Sequence, residues 1–152
     1  MRLRSIVLTC LLCLLAISAA LAQNPNLGTW KLDEAKSHIP AGVGKNTTVI
    51  ISSAGADIKI STDGVNTQGQ QVHTEWTGQF DGKPYPLTGD PNATYRAYKT
   101  KGDHTLVFAN MKGDKTVSNG RITIAKDGKS RTLDMTYFGS KKVKAKYVYE
   151  KQ

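Results

Sequence analysis

Beyond residue 22 the chain has no cysteine: Cys10 and Cys13 both lie in an apolar run at residues 6–20. A chain without that run has no disulfide, no thiolate nucleophile and no cysteine-based metal site. Histidine is nearly as scarce. His38, His73 and His104 stand far apart and form neither HxH nor HExxH spacing, so no zinc ligand set is expected. There is no Gly-x-Ser-x-Gly elbow, no P-loop and no dinucleotide fingerprint, which leaves no catalytic residue to nominate and no cofactor to expect. No stretch after residue 22 sustains an apolar period of about 3.6, so a long helix is not expected there. Acidic residues are also in deficit, 12 against 21 basic ones, for a net charge of +9.

What is present begins with a targeting pattern. Arg2 and Arg4 precede the apolar run, and Ala20-Leu21-Ala22 has the small-x-small form of a signal peptidase site. Residues 1–22 therefore read as a signal peptide and residues 23–152 as one exported domain, periplasmic or secreted. The run is shorter than the roughly 20 apolar residues of a span, so no membrane span is expected after cleavage. About 130 residues suffice for one core, and a monomer is expected. Removing Arg2 and Arg4 leaves 19 basic residues against 12 acidic ones, about +7. Much of that excess is C-terminal, at Lys141, Lys142, Lys144, Lys146 and Lys151. Such charge suits an anionic surface or simply protects strand edges. Nucleic acid is disfavoured by export and by the lack of an aromatic-basic recognition motif.

Glycine turns recur along the domain at Gly55, Asp63-Gly64, Asp81-Gly82, Gly89-Asp90, Gly102-Asp103, Gly113-Asp114, Asp127-Gly128 and Gly139. Asp-Gly and Gly-Asp pairs supply the positive φ that tight hairpins need. Between them, residues 27–32, 47–53, 58–61, 72–80, 94–100, 105–112, 116–125, 131–138 and 142–150 read as strands. Residues 65–71 read as a wide loop or a strand start, 33–37 as one helical turn, and 83–87 as a short edge or rim strand because of Pro84 and Pro86. Short antiparallel connections predict an all-β, up-and-down antiparallel barrel of about 8–10 strands.

Gly28-Thr29-Trp30-Lys31-Leu32, on the first strand, resembles the Gly-x-Trp opening of lipocalins and fatty-acid-binding proteins. That resemblance implies a lipocalin-like, calycin-type barrel in which Trp30 closes one end beside a late basic residue: Arg121, Arg131 or a C-terminal lysine. The stretch from Glu75-Trp76-Thr77-Gly78 through Asp81-Gly82-Lys83-Pro84-Tyr85-Pro86 to Gly89-Asp90-Pro91-Asn92-Ala93 is similar to a group of small exported bacterial proteins of unassigned function. So is the ending, Tyr147-Val148-Tyr149-Glu150-Lys151-Gln152. Two features of the fatty-acid binders are missing, the helical lid after strand one and the late-strand Arg-x-Tyr clamp, so their ligand is not carried over.

The aromatic residues are the best candidates for a site. Trp30, Trp76, Phe80, Tyr95, Phe108, Tyr137, Tyr147 and Tyr149 have the parity of inward positions, beside Val72, Leu106, Leu133 and Met135. They either fill the barrel or line a cavity in which tyrosine hydroxyls and an inward Arg121 or Asn119 orient a ligand. If Ile122 and Ile124 form the core face instead, Arg121 lies outside. Most aspartates sit in turns, while Glu75 shares an outer face with His73, a conceivable but exposed general-base pair. The expected function is non-covalent binding of a small, largely apolar molecule. The alternative is an envelope interaction protein that uses its basic outer face on anionic surfaces.

Overall fold

The computed structural model describes residues 24–152; the segment read as a signal peptide lies outside the described residues. Ten strands run in chain order: β1 Gly28–Leu32, β2 Lys45–Ala54, β3 Asp57–Val65, β4 Gln71–Gly78, β5 Asp81–Thr88, β6 Tyr95–Thr100, β7 Thr105–Lys112, β8 Lys115–Ile124, β9 Ser130–Phe138 and β10 Lys142–Lys151. Each pairs antiparallel with its chain neighbours, and β1 pairs with β10, so the sheet is a closed up-and-down barrel. Among the described residues there is no helix, and residues 33–37 form hydrogen-bonded turns where one helical turn was expected.

Local chemistry accounts for the hairpins. The two-residue connections at Gly55-Ala56 and Gly113-Asp114 each place glycine first, at φ 66° and 58°. A side chain would resist that conformation, whereas the turn it makes matches strand twist. Two expected turns are not turns. Asp63-Gly64 lies within β3, opposite a bulge in β2 between Asn46 and Thr48, and Asp81-Gly82 opens β5 beside another irregularity. The Asp63-Gly64 pair is a close-approach site: a Cβ on Gly64 would overlap the Lys45 carbonyl oxygen.

β5 corrects a second expectation. It is a full strand of eight residues within the closed ring, not an edge. Its prolines still leave a mark. Pro84 and Pro86 have no N–H to donate, and β5 pairs with β4 only at Glu75↔Thr88 and Trp76↔Leu87.

Alternation decides the two faces. Inward positions carry the core, including Val49, Ile51, Ile60, Leu106, Ile122 and Ala145. Outward positions such as Lys59, Asp63, Glu75, Lys144 and Lys146 are polar or charged. A barrel facing lipid would carry an apolar band there.

Candidate functional site

The topology sorts the connections onto two ends. Residues 33–44, 66–70, 89–94, 113–114 and 139–141 share one end, and 24–27, 55–56, 79–80, 101–104 and 125–129 share the other. A cavity of about 560 Å³ occupies the interior, bordered by residues 42–46, 66–67 and 90–93, by Gly139 and by Lys141, but by none of the opposite connections. Its mouth is therefore at the first end.

The opposite end is closed by side chains. Trp30 is fully buried and its indole N–H donates to the Asn26 carbonyl at 2.9 Å. The Arg131 guanidinium lies between two rings, 4.8 Å from that of Trp30 and 5.1 Å from that of Tyr149, and Lys151 approaches Trp30 from 5.1 Å. Of the basic partners considered for Trp30, Arg131 and Lys151 reach it. Beside them Trp76 stacks on Phe80 at 6.1 Å and meets Tyr98 edge-on at 4.8 Å, and Tyr98 continues to Phe108 at 5.2 Å. The Trp76 indole donates to the Arg96 carbonyl at 2.9 Å. This packing anchors the closed half, since buried aromatic pairs add about 0.5–1.5 kcal/mol beyond area burial.

The cavity wall is apolar at Val49, Ile60, Phe108, Ile122, Leu133 and Met135, and polar at Thr62, Thr74, Arg96, Asn110 and Ser118. These polar groups are ordered among themselves. Arg96 Nε donates to Asn110 Oδ1, Arg96 Nη1 donates to the Tyr98 hydroxyl at 3.2 Å, and Asn110 Nδ2 donates to Ser118 Oγ at 2.9 Å. The Thr62 and Thr74 hydroxyls bond each other at 2.7 Å. Arg96 is 8 % exposed and Arg131 4 %. Burial pulls the Arg131 guanidinium down to about 10, so it remains charged at neutral pH.

Among the sequence-nominated residues, Phe108, Tyr137 and Tyr147 line the cavity, while Trp30, Trp76 and Phe80 belong to the closed half. The tyrosine hydroxyls are committed to the scaffold. Tyr147 donates to the Gly44 carbonyl at 2.9 Å, so its 2.8 Å contact with Tyr137 must be filled by the Tyr137 proton. Tyr149 donates to the Asn46 carbonyl at 3.1 Å. Burial pushes the Tyr137, Tyr147 and Tyr149 hydroxyls above the ordinary phenol range, and they stay protonated donors.

Three nominated residues point the other way. Tyr95 is 43 % exposed on the outer face. Arg121 is exposed too, because Ile122 and Ile124 take the inward parity of β8, and Asn119 follows Arg121 outward. Arg96 was missed for the same reason. On β6 each parity holds one tyrosine, and choosing Tyr98 inward means burying an arginine, which runs against the usual preference. A one-residue slip in parity then moves every side chain of the strand to the other face.

Outside the barrel, His73 Nδ1 sits 2.7 Å from Asp63 Oδ1, with Ser61 Oγ 3.5 Å from His73 Nε2 and Glu75 paired to Lys59 at 2.7 Å. Hydrogen bonding to Asp63 raises the His73 pKa above its ordinary value. The arrangement is an ion network on an open wall. β3 and β4 pair continuously through these residues. Among the described residues no three His, Cys, Asp or Glu side chains converge as metal ligands.

No family model matches the chain, and no curated protein matches it. Among solved structures it is similar to one described as "Structure of EF1p2_mFAP2b bound to DFHBI", at 11 % identity and a TM-score of 0.47, over 84 % of this chain and 94 % of that one.

Proposed function

We propose that this barrel binds a small, largely apolar molecule non-covalently in its interior. One observation carries the reading: a cavity of about 560 Å³ inside the barrel, lined by aliphatic and aromatic side chains with a limited set of polar ones, and open at one end. Ligand pockets of about 300–1,000 Å³ with few polar groups are typical of small-molecule sites. A barrel filled to ordinary packing density would leave only voids near the size of a water molecule. Titration with the neutral dye Nile red should give saturable one-to-one binding with blue-shifted emission. Native mass spectrometry of protein from its own host should show a retained small molecule. A clean apo mass together with non-saturable dye fluorescence would overturn the reading.

Export follows from the N-terminal pattern Arg2, Arg4 and Ala20-Leu21-Ala22. N-terminal sequencing of the cell-derived protein should read from Gln23. A start at Met1 refutes cleavage.

A second reading has its own support on the outer wall. Lys99, Arg121, Lys144 and Lys146 border one shallow outer depression in which Asp134 is the one carboxylate among the lining residues. This face suits an anionic surface of the envelope. Sedimentation with anionic vesicles should fall as salt rises, because exposed charges are screened within about 8–10 Å at physiological ionic strength.

A further inference from the structure

Arg96 is a buried cation with a fixed position and no counter-charge. It projects from β6 into the cavity wall. Every ion pair among the described residues involves other side chains. Its Nε and Nη1 are held by Asn110 and Tyr98, and Asn110 is held in turn by Ser118. Its plane lies over the rings of Tyr98 and Phe108, at 5.8 and 5.4 Å. Nε and Nη1 each make one such bond, while Nη2 has no hydrogen-bond partner among the described residues.

A second cation shares the enclosure. Arg131 also lines the cavity, and its Nε and Nη1 are buried without a partner. Its position has a structural explanation in the Trp30 and Tyr149 rings that sandwich it. Arg96 makes the corresponding contacts with the Tyr98 and Phe108 rings. Water can satisfy an N–H, but it does not neutralise two positive charges that share one cavity. A buried charge is ordinarily paired because removing it from water is costly. The mouth has the same sign, with Lys112 and Lys141 against Asp90 as the one carboxylate among the lining residues, and with Lys45 paired to Glu34 at 2.6 Å. That balance favours entry of an anion.

We propose that the ligand of this cavity is an amphipathic anion, its charged group received by the unpartnered Nη2 of Arg96 and its apolar body lying against Val49, Ile60, Ile122, Leu133 and Met135. The assignment rests on the reading of the cavity as a small-molecule site and adds the sign and place of the ligand's charge. A charge-assisted hydrogen bond from a guanidinium nitrogen suits a carboxylate or a sulfonate. The bonds to Asn110 and Tyr98 mean that little ordering remains to be done on binding.

The test compares naphthylacetate with neutral naphthylethanol, of similar apolar body, by isothermal titration calorimetry on the intact domain. Wild type should bind the anion more tightly by about tenfold or more, as expected of a hydrogen bond to a charged group in a buried site. Arg96→Met should abolish that preference, bringing the affinities for naphthylacetate and naphthylethanol together. Naphthalenesulfonate should behave like the carboxylate. Equal affinity of wild type for the acid and the alcohol overturns the assignment and leaves the apolar-cavity reading standing. So does an Arg96→Met protein that keeps the preference. Failure of all probes to bind saturably overturns both readings. The wild-type comparison decides even if the variant does not fold.

Discussion

Two residues define the extremes of environment in this protein. Trp30 is wholly buried, donates to the Asn26 carbonyl and carries Arg131 on its face. Trp30→Ala removes the packing, the hydrogen bond and the ring that accommodates a buried cation. It should lower stability by about 3–5 kcal/mol, the range for large-to-small core truncations, measured by urea unfolding followed by circular dichroism. His73 sits on the outer wall, where its hydrogen bond to Asp63, and secondarily the charges of Asp63 and Glu75, raise its pKa above the ordinary 6.5. A raised folded-state pKa means that the fold favours the protonated ring. The resulting stabilisation is fully present below 6.5 and is lost as pH rises through the higher folded value. An NMR titration should find His73 titrating above 6.5, and Asp63→Asn should bring it back down. A His73 titration unmoved by that substitution would show that Asp63 is not the cause.

At the scale of elements, the pairing of β2 with β3 depends on one glycine. Gly64 faces the β2 bulge so closely that a Cβ would meet backbone at Lys45 and Asn46, which cannot swing aside as a side chain can. Gly64→Ala should cost about 1–3 kcal/mol, the usual range for overpacking, read as a lower urea midpoint with an unchanged slope. This glycine also shows where sequence patterns mislead. Asp63-Gly64 has the composition of a hairpin turn, yet the turn lies later, at residues 66–70, where Asn66 Oδ1 accepts from the backbone N–H groups of Gln68 and Gln70. Strand existence was legible because β-branched and alternating residues appear between glycine pairs, as in β10. Inward parity was legible where only one face is apolar, as with Tyr147 and Tyr149. It failed on β6 and β8. On β6 the buried face includes Arg96, and the reason for that burial lies on neighbouring strands, at Asn110 and Ser118. No local pattern encodes a partner contributed by another hairpin.

For the molecule as a whole, stability rests on closure. With no cysteine among residues 24–152, the ring is held by its core and by the seam between β1 and β10, paired at Trp30↔Lys151, Lys31↔Glu150 and Leu32↔Tyr149. The connector after β1 extends that seam: Asp33 N–H donates to the Val148 carbonyl, and His38 exchanges backbone bonds with Lys146. Deleting residues 142–152 removes Tyr147 and Tyr149 from the core and leaves β9 and β1 each with one unpaired edge. The truncated protein should lose its near-ultraviolet circular dichroism and elute from gel filtration as aggregates, because open strand edges pair with other chains. A monomeric product with native-like spectra would show that the seam is dispensable.

That seam also sets a clock. The first strand finds its final neighbour only in the last one, so vectorial synthesis cannot complete the ring before the final residues appear. At about 5–20 residues per second, the nascent sheet spends on the order of ten seconds with two unpaired borders. The outward lysines of β10, Lys142, Lys144 and Lys146, arrive with the segment that ends this interval. Edge-to-edge association is therefore a hazard of manufacture, confined to a period before the finished molecule exists.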